Sequence, residues 1–180
     1  MNPLDIIDKY YTAGSPQWEI LVGHSRAVAD YAAEIIARHP ELDVDAQFVY
    51  EAAMLHDIGI CRTDAPSIFC TGTHHYICHG YLGSAMMQAE NLPRHARVCE
   101  RHTGAGLTVA DIVERDLPLP HRDMLPETLE ERIVCYADKF YSKSGDVTRR
   151  KTLDQAVASL AKHGSSQTER FMAMHRLLGI

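Results

Sequence analysis

Apolar residues recur along this chain three and four positions apart, the interval that lines one face of a helix. Leu4, Ile7 and Tyr11 keep it over residues 3–12, and Gly14 closes that segment. Ser15 and Pro16 stand where an N-cap and a first helical residue belong. From there Leu21, Val28, Tyr31 and Ile35 carry an apolar stripe to about Arg38. His24 falls on that stripe, one turn from both Leu21 and Val28. Asp45 is placed to cap a third helix, AQFVYEAAMLHD. Further helices are expected over residues 79–92, after Pro93, after Thr108, over 127–142, over 148–162 and over 166–178. Residues 117–126 are proline-rich and read as extended. Nothing alternates with the period of a strand, so the expected fold class is all-α, a helical bundle. It reads as a single domain over residues 1–180, with a core over 20–143 and C-terminal helices over 148–178.

The periodicity lapses between residues 60 and 78, where Pro66, Gly72 and several threonines interrupt it. A stretch of that length inside a compact chain is usually functional or disordered. This one joins two histidine-bearing helices, so it is expected to form the wall or lid of a site.

Composition narrows the field. At 180 residues, 46% hydrophobic and 23% charged, the chain suits one sizeable core. No apolar run approaches the ~20 residues of a membrane span, and residues 1–14 have no signal-peptide pattern. A cytoplasmic location without membrane association is the expectation. A net charge of -6 argues against generic nucleic-acid binding. Five cysteines at irregular spacing, with no CxxC, read as reduced thiols. Cys99 and Cys135 are expected in the core, as are Met86 and Met87. Arg149, Arg150 and Lys151 read as a solvated helix face. His39, His121, His163 and His175 have polar or chain-end surroundings and carry little functional weight.

The chemistry gathers at His56-Asp57, which an apolar helical run delivers before Ile58-Gly59 breaks it. A carboxylate buried without a partner is costly, and a cation would remove that cost. Asp138 poses the same problem among Val134, Cys135, Ala137 and Tyr141. Lys139 is adjacent but projects ~100° away on a helix, which makes it a poor partner there. His24, His79 and His102 each have a plainer reading as well: a hydrogen-bonded core histidine for the first, helix-end caps for the other two. Cys70, His74, His75 and Cys78 are close enough in sequence for a structural zinc site, although the spacing fits no standard finger. His74 and His75 could otherwise reach the main site from the loop.

The order H…HD…H…H…D, with HDIG spelled out at residues 56–59, resembles the HD-domain superfamily of metal-dependent phosphohydrolases in its two-metal version. The resemblance covers roughly residues 24–143. It is strongest to small bacterial HDIG proteins that carry RHTGAGLT and LPETLEERIVCYADKFYSKS. It implies that His24, His56, Asp57 and Asp138 hold one ion, that His79 and His102 complete a second, and that Asp57 bridges the two. Imidazole and carboxylate together suit Fe, Mn, Zn, Co or Ni rather than Ca.

A hydroxide bridging two such ions would attack a phosphoester directly, so no serine or cysteine nucleophile is needed. No P-loop and no GxSxG is present. Many relatives carry lysine after HDIG, where this chain has Ile60, and the GYP signature of cyclic-di-GMP enzymes is missing. The cation for a substrate phosphate could instead be Arg62, Arg101 or Lys143, each of which reads equally as an ordinary surface charge. The leading expectation is a phosphohydrolase acting on a small phosphate-bearing substrate, a nucleotide foremost. A mixed-valent di-iron oxygenase and a nucleotide-sensing module are the alternatives.

Overall fold

The computed structural model describes all 180 residues and holds nine α-helices. They are α1 (Pro3–Ile7), α2 (Pro16–Arg38), α3 (Ala46–Leu55), α4 (His79–Ala89), α5 (Pro93–Arg101), α6 (Val109–Glu114), α7 (Leu129–Asp138), α8 (Leu153–Ala161) and α9 (Ser165–Leu178). The expected caps are in place. Ser15 Oγ accepts from the Trp18 amide at 3.3 Å, and Asp45 Oδ1 accepts from Phe48 at 3.0 Å. Three helices open on reciprocal capping boxes, Thr108/Asp111, Thr128/Glu131 and Thr152/Gln155. These boxes shorten the expected helices at 127 and 148, because each cap threonine lies outside the helix it starts.

α2 packs against α3 and α7, α3 against α5 and α7, and α4 against α5. α8 and α9 close one end, with α9 seated on α7. The shared interior holds 36 buried apolar residues, from Ile7 to Leu178. Within it Tyr136, Phe140 and Phe171 pack together, with ring centroids 5.1–5.8 Å apart. Phe171 is fully buried, worth roughly 1.5–3 kcal/mol for a side chain of that kind, and this ties α9 to α7. A smaller apolar group, Cys78, Leu107, Ile112, Leu119 and Met124, sits under the proline-rich segment.

The stretch from 60 to 78 is more ordered than its sequence suggests. After a 3-10 turn at Ile58–Arg62, β1 (Asp64–Ala65) pairs antiparallel with β2 (Cys70–Thr71), Asp64 opposite Thr71. The expectation of no strand is corrected by this hairpin, whose two-residue strands are too short to show alternation. Residues 149–151 are likewise not a solvated helix face. They precede α8, Arg150 pairs with Glu34 at 2.7 Å, and the Lys151 amide donates to Phe140 O at 2.8 Å.

Candidate metal centre

Four helix ends and one helix middle supply the cluster. His24 lies midway along α2, His56 caps α3, and Asp57 follows at φ -101°, ψ 8°. His79 begins α4, His102 caps α5 and Asp138 ends α7. All six are buried, none more than 6% exposed. Helix ends suit this task, since a side chain there leaves the bundle's packed faces and turns inward.

The Gly of HDIG sets how closely these ends approach. A Cβ on Gly59 would stand 2.1 Å from His79 O and 2.4 Å from Gly83 N. Backbone therefore meets backbone where the 3-10 turn crosses α4. On the same helix Gly80 lets the Cys99 carbonyl come within 2.5 Å of where a Cβ would be. α5 is thereby drawn in, and His79 Nε2 reaches within 3.0 Å of His102 Nε2.

Asp57 is at the centre of two groups. Its Oδ2 lies 3.2 Å from His24 Nε2 and 3.0 Å from His56 Nε2. Its Oδ1 lies 3.4 Å from His79 Nε2 and 3.2 Å from His102 Nε2. Asp138 Oδ1 joins the first group, 2.9 Å from His24 Nε2 and 3.5 Å from His56 Nε2. Within each group the donor atoms fall within 4.8 Å of one another.

This arrangement fits metal ions better than a hydrogen-bonded core. Both Asp57 oxygens and His56 Nε2 lack a hydrogen-bond partner despite those short separations, because the angles are wrong. Donor atoms ~3.0–3.4 Å apart are what ligand bonds of ~2.0–2.1 Å produce around one ion. His56, His79 and His102 each place Nδ1 2.6–2.8 Å from the carbonyl three residues earlier, Ala53, Tyr76 and Cys99. Donation there leaves a lone pair on each Nε2, the usual outer support of a ligating histidine. Two such lone pairs 3.0 Å apart, on His79 and His102, repel unless a cation lies beside them. His24 Nδ1 has no partner of this kind.

The electrostatics agree. Burial pushes the His79 pKa down to about 3 and lowers that of His102, so both are neutral bases. Burial acts the same way on His56, but the Asp57 and Asp138 charges outweigh it and raise that pKa to about 9. A proton and a metal ion would compete for the same His56 nitrogen. Burial would raise both carboxylates. The charges of His56 and Lys143 instead hold Asp57 well below the usual range, and Lys139 with Lys143 does so for Asp138.

Lys143 Nζ lies 2.6 Å from Asp57 Oδ2. Burial alone would lower its pKa, but Asp57 raises it above the usual lysine value. Lys139 corrects the sequence reading. Lys139 caps α7 with dihedrals that are still helical, φ -65° and ψ -19°, and its long side chain lets Nζ turn back to Asp138 Oδ2 at 2.6 Å and His102 O at 3.0 Å. The two other candidate cations lie elsewhere. Arg101 reaches Glu127 at 2.8 Å and Glu131 at 3.5 Å instead of facing the cluster. Arg62 is exposed and borders no part of the cavity beside it. Nor do the loop residues gather a zinc site. Cys70 Sγ accepts from Gln17, Cys78 Sγ donates to Pro118 O, His75 caps the turn at Tyr76–Cys78, and His74 is exposed.

A cavity of about 680 Å³ opens beside the centre, bordered by His79, His102 and Asp138. The 60–78 segment forms one wall through Asp64, Ser67, Ile68 and Tyr76, as expected of it. Tyr76 stacks on His79, centroids 4.8 Å apart and planes 23° apart. The other wall includes Arg115, which sequence reasoning did not single out, and Lys151 and His163, which it read as a solvated helix face and a histidine of little functional weight. Arg115 and His163 are exposed and Lys151 stands in a basic run, so nothing in their surroundings marks them until the fold brings them together.

A family model described as HD domain matches residues 21–142. An uncharacterised protein of Methanocaldococcus jannaschii is 34% identical over 147 residues, covering 80% of this chain and 77% of that protein. A tRNA (cytidine(56)-2'-O)-methyltransferase of Thermoplasma volcanium is 30% identical over 177 residues, covering 97% of this chain and 45% of the enzyme. The enzyme of the same name from Picrophilus torridus is 31% identical over 140 residues, covering 71% of this chain and 37% of the enzyme. The chain thus spans less than half the length of either methyltransferase. No solved structure matches it.

Proposed function

This chain belongs to the HD-domain family of metal-dependent hydrolases, and from that premise we propose that it is a phosphohydrolase acting on a small phosphate ester, a nucleotide foremost. The observation that carries this reading is Asp57, whose two oxygens face separate ligand groups and suit two ions sharing one carboxylate. His24, His56, Asp57 and Asp138 would hold one ion; Asp57, His79 and His102 would hold the other. The donor set favours Fe, Mn, Zn, Co or Ni. Bound in such a pair, ions of this kind acidify water and offset charge on phosphoryl oxygens.

The protein's own groups supply the rest. Lys143 borders both Asp57 and the cavity, so its ammonium is positioned to bind a phosphoryl oxygen and hold the substrate at the centre. Tyr76 covers the His79 ring and shields that side from water. No cysteine competes as a nucleophile, since burial pushes all five thiols above their ordinary pKa, Cys135 to about 12. The two relatives named as tRNA methyltransferases support a nucleotide or RNA-derived substrate class.

The test is a panel of aryl phosphates and nucleotides offered to protein of known metal content. Turnover that disappears in Asp57→Ala is the expected result. Full metal loading with no turnover across the panel would overturn the proposal. Oxygen uptake by the iron-loaded protein, with a mixed-valent EPR signal, would point to oxygenase chemistry on the same ligands.

A further inference from the structure

We propose that the cavity has a second anion subsite, formed by Arg115, Lys151 and His163, and that it takes a nucleotide with phosphates at two separated positions. The inference rests on the reading above in one respect: the first phosphate is the one at the metal centre.

The cavity carries an excess of positive charge inside a chain of net charge -6. Arg115, Lys139, Lys143 and Lys151 border it, against two carboxylates, Asp64 and Asp138. The cations fall into two sets. Lys143 and Lys139 are already engaged, each 2.6 Å from a carboxylate oxygen of the centre. Arg115, Lys151 and His163 take part in no ion pair. Arg115 Nη2 turns toward His163 Nδ1 at 3.5 Å, and Lys151 Nζ has only the Tyr141 carbonyl, at 3.1 Å. A partly buried ammonium and a guanidinium paired with imidazole on a concave wall are incomplete without an anion. Burial lowers the Lys151 pKa, and the Asp138 charge offsets that only in part.

This set comes from other elements than the metal ligands. Arg115 follows α6, Lys151 precedes α8, and His163 lies in the turn between α8 and α9. Lys151 and His163 lie beyond the matched HD region at 21–142, whereas Arg115 lies within it. Ala65 and Ile77, both only partly buried, also border the cavity and offer an apolar surface for a nucleoside. At about 680 Å³ the cavity is within the range of ~300–1,000 Å³ typical of small-molecule sites.

The experiment is calorimetric titration of the metal-loaded full chain with two hydrolysis-resistant probes, adenosine 5′-phosphorothioate and adenosine 3′,5′-bisphosphorothioate. The wild type should bind the second at least about tenfold more tightly. Arg115→Ala with His163→Ala should bind the two alike. Arg115→Glu, a change at an exposed side chain, should abolish or reverse the preference and keeps the test readable if the double variant folds poorly. Equal affinities in the wild type, a preference that survives both variants, or no binding of either probe would overturn the proposal. Preference without turnover of any phosphate would keep this subsite and sink the hydrolase. Turnover without preference would do the opposite.

Discussion

Replacing Asp57 by alanine removes both oxygens that face the two histidine groups, and it also strips Lys143 of its partner 2.6 Å away. Metal content should therefore fall for both ions, measured by elemental analysis. The metal-free protein should itself lose about 3 kcal/mol in urea denaturation, because a buried ammonium is left unpaired. His79→Ala affects one group only, so it should remove one ion and spare the other. An outer partner of a ligand is typically worth ~10–100-fold in affinity, and deletion of a ligand should exceed that. Loss of both ions in His79→Ala would mean that the two groups do not bind separately. The six residues were readable together from the resemblance that their order and HDIG carry, whereas His24, His79 and His102 taken singly each had a plainer reading. Lys139 was not readable. Its flexible four-carbon stem lets the ammonium bend back to Asp138, which a projection of Cβ directions around the helix does not foresee.

Elements carry the site through their approach to one another. Gly59→Ala would place a Cβ 2.1 Å from His79 O and push α4 away from the 3-10 turn. We expect a loss of about 3 kcal/mol or more, at the upper end for overpacking, with weaker binding of the ion shared by Asp57, His79 and His102. Unchanged stability and metal content would show that α4 can shift freely. Farther out, Asp111 joins α6 to α9, accepting from the Thr108 amide at 2.9 Å and from Arg170 at 2.5 Å. Burial would raise its pKa, but the Thr108 amide and Arg170 outweigh that and lower it. A depressed carboxylate stabilises the fold fully above its unfolded pKa of ~3.9 and loses that contribution as pH falls through the folded value. Asp111→Asn should thus cost about 1–2 kcal/mol at neutral pH and flatten the decline below about pH 4, measured by denaturation across pH. The capping signals at Ser15, Asp45 and Thr108 were legible because they are local. The hairpin at 64–71 was not, since its strands are two residues long and its pairing is a property of the loop.

For the whole molecule, chelation is the broadest probe. Each of the two ions, bound at 100 times its Kd, would add about 2.7 kcal/mol, or roughly 5–10 °C per ion in a chain of this size, and the pair about twice that. Thermal melts with and without a chelator should differ by that much, and His24→Ala with His79→Ala should abolish the difference. No helix is long and apolar enough to cross a membrane. The overall charge of -6 and the cationic cavity wall have opposite signs, which directs anionic ligands to one place on the surface.

The sequence by itself determined the helical class, the main caps and the six metal-type side chains. The class and the caps follow from spacing within a few positions, and the ligand set follows from the order H…HD…H…H…D through its resemblance to the HD-domain superfamily. Tertiary structure decided which cation reaches which carboxylate, and it chose Lys143 and Lys139 over Arg62 and Arg101. It also assembled Arg115, Lys151 and His163 on one wall from three separate connections. Long cationic side chains can turn in many directions, and only the packing of distant elements fixes which carboxylate or cavity lies within their reach.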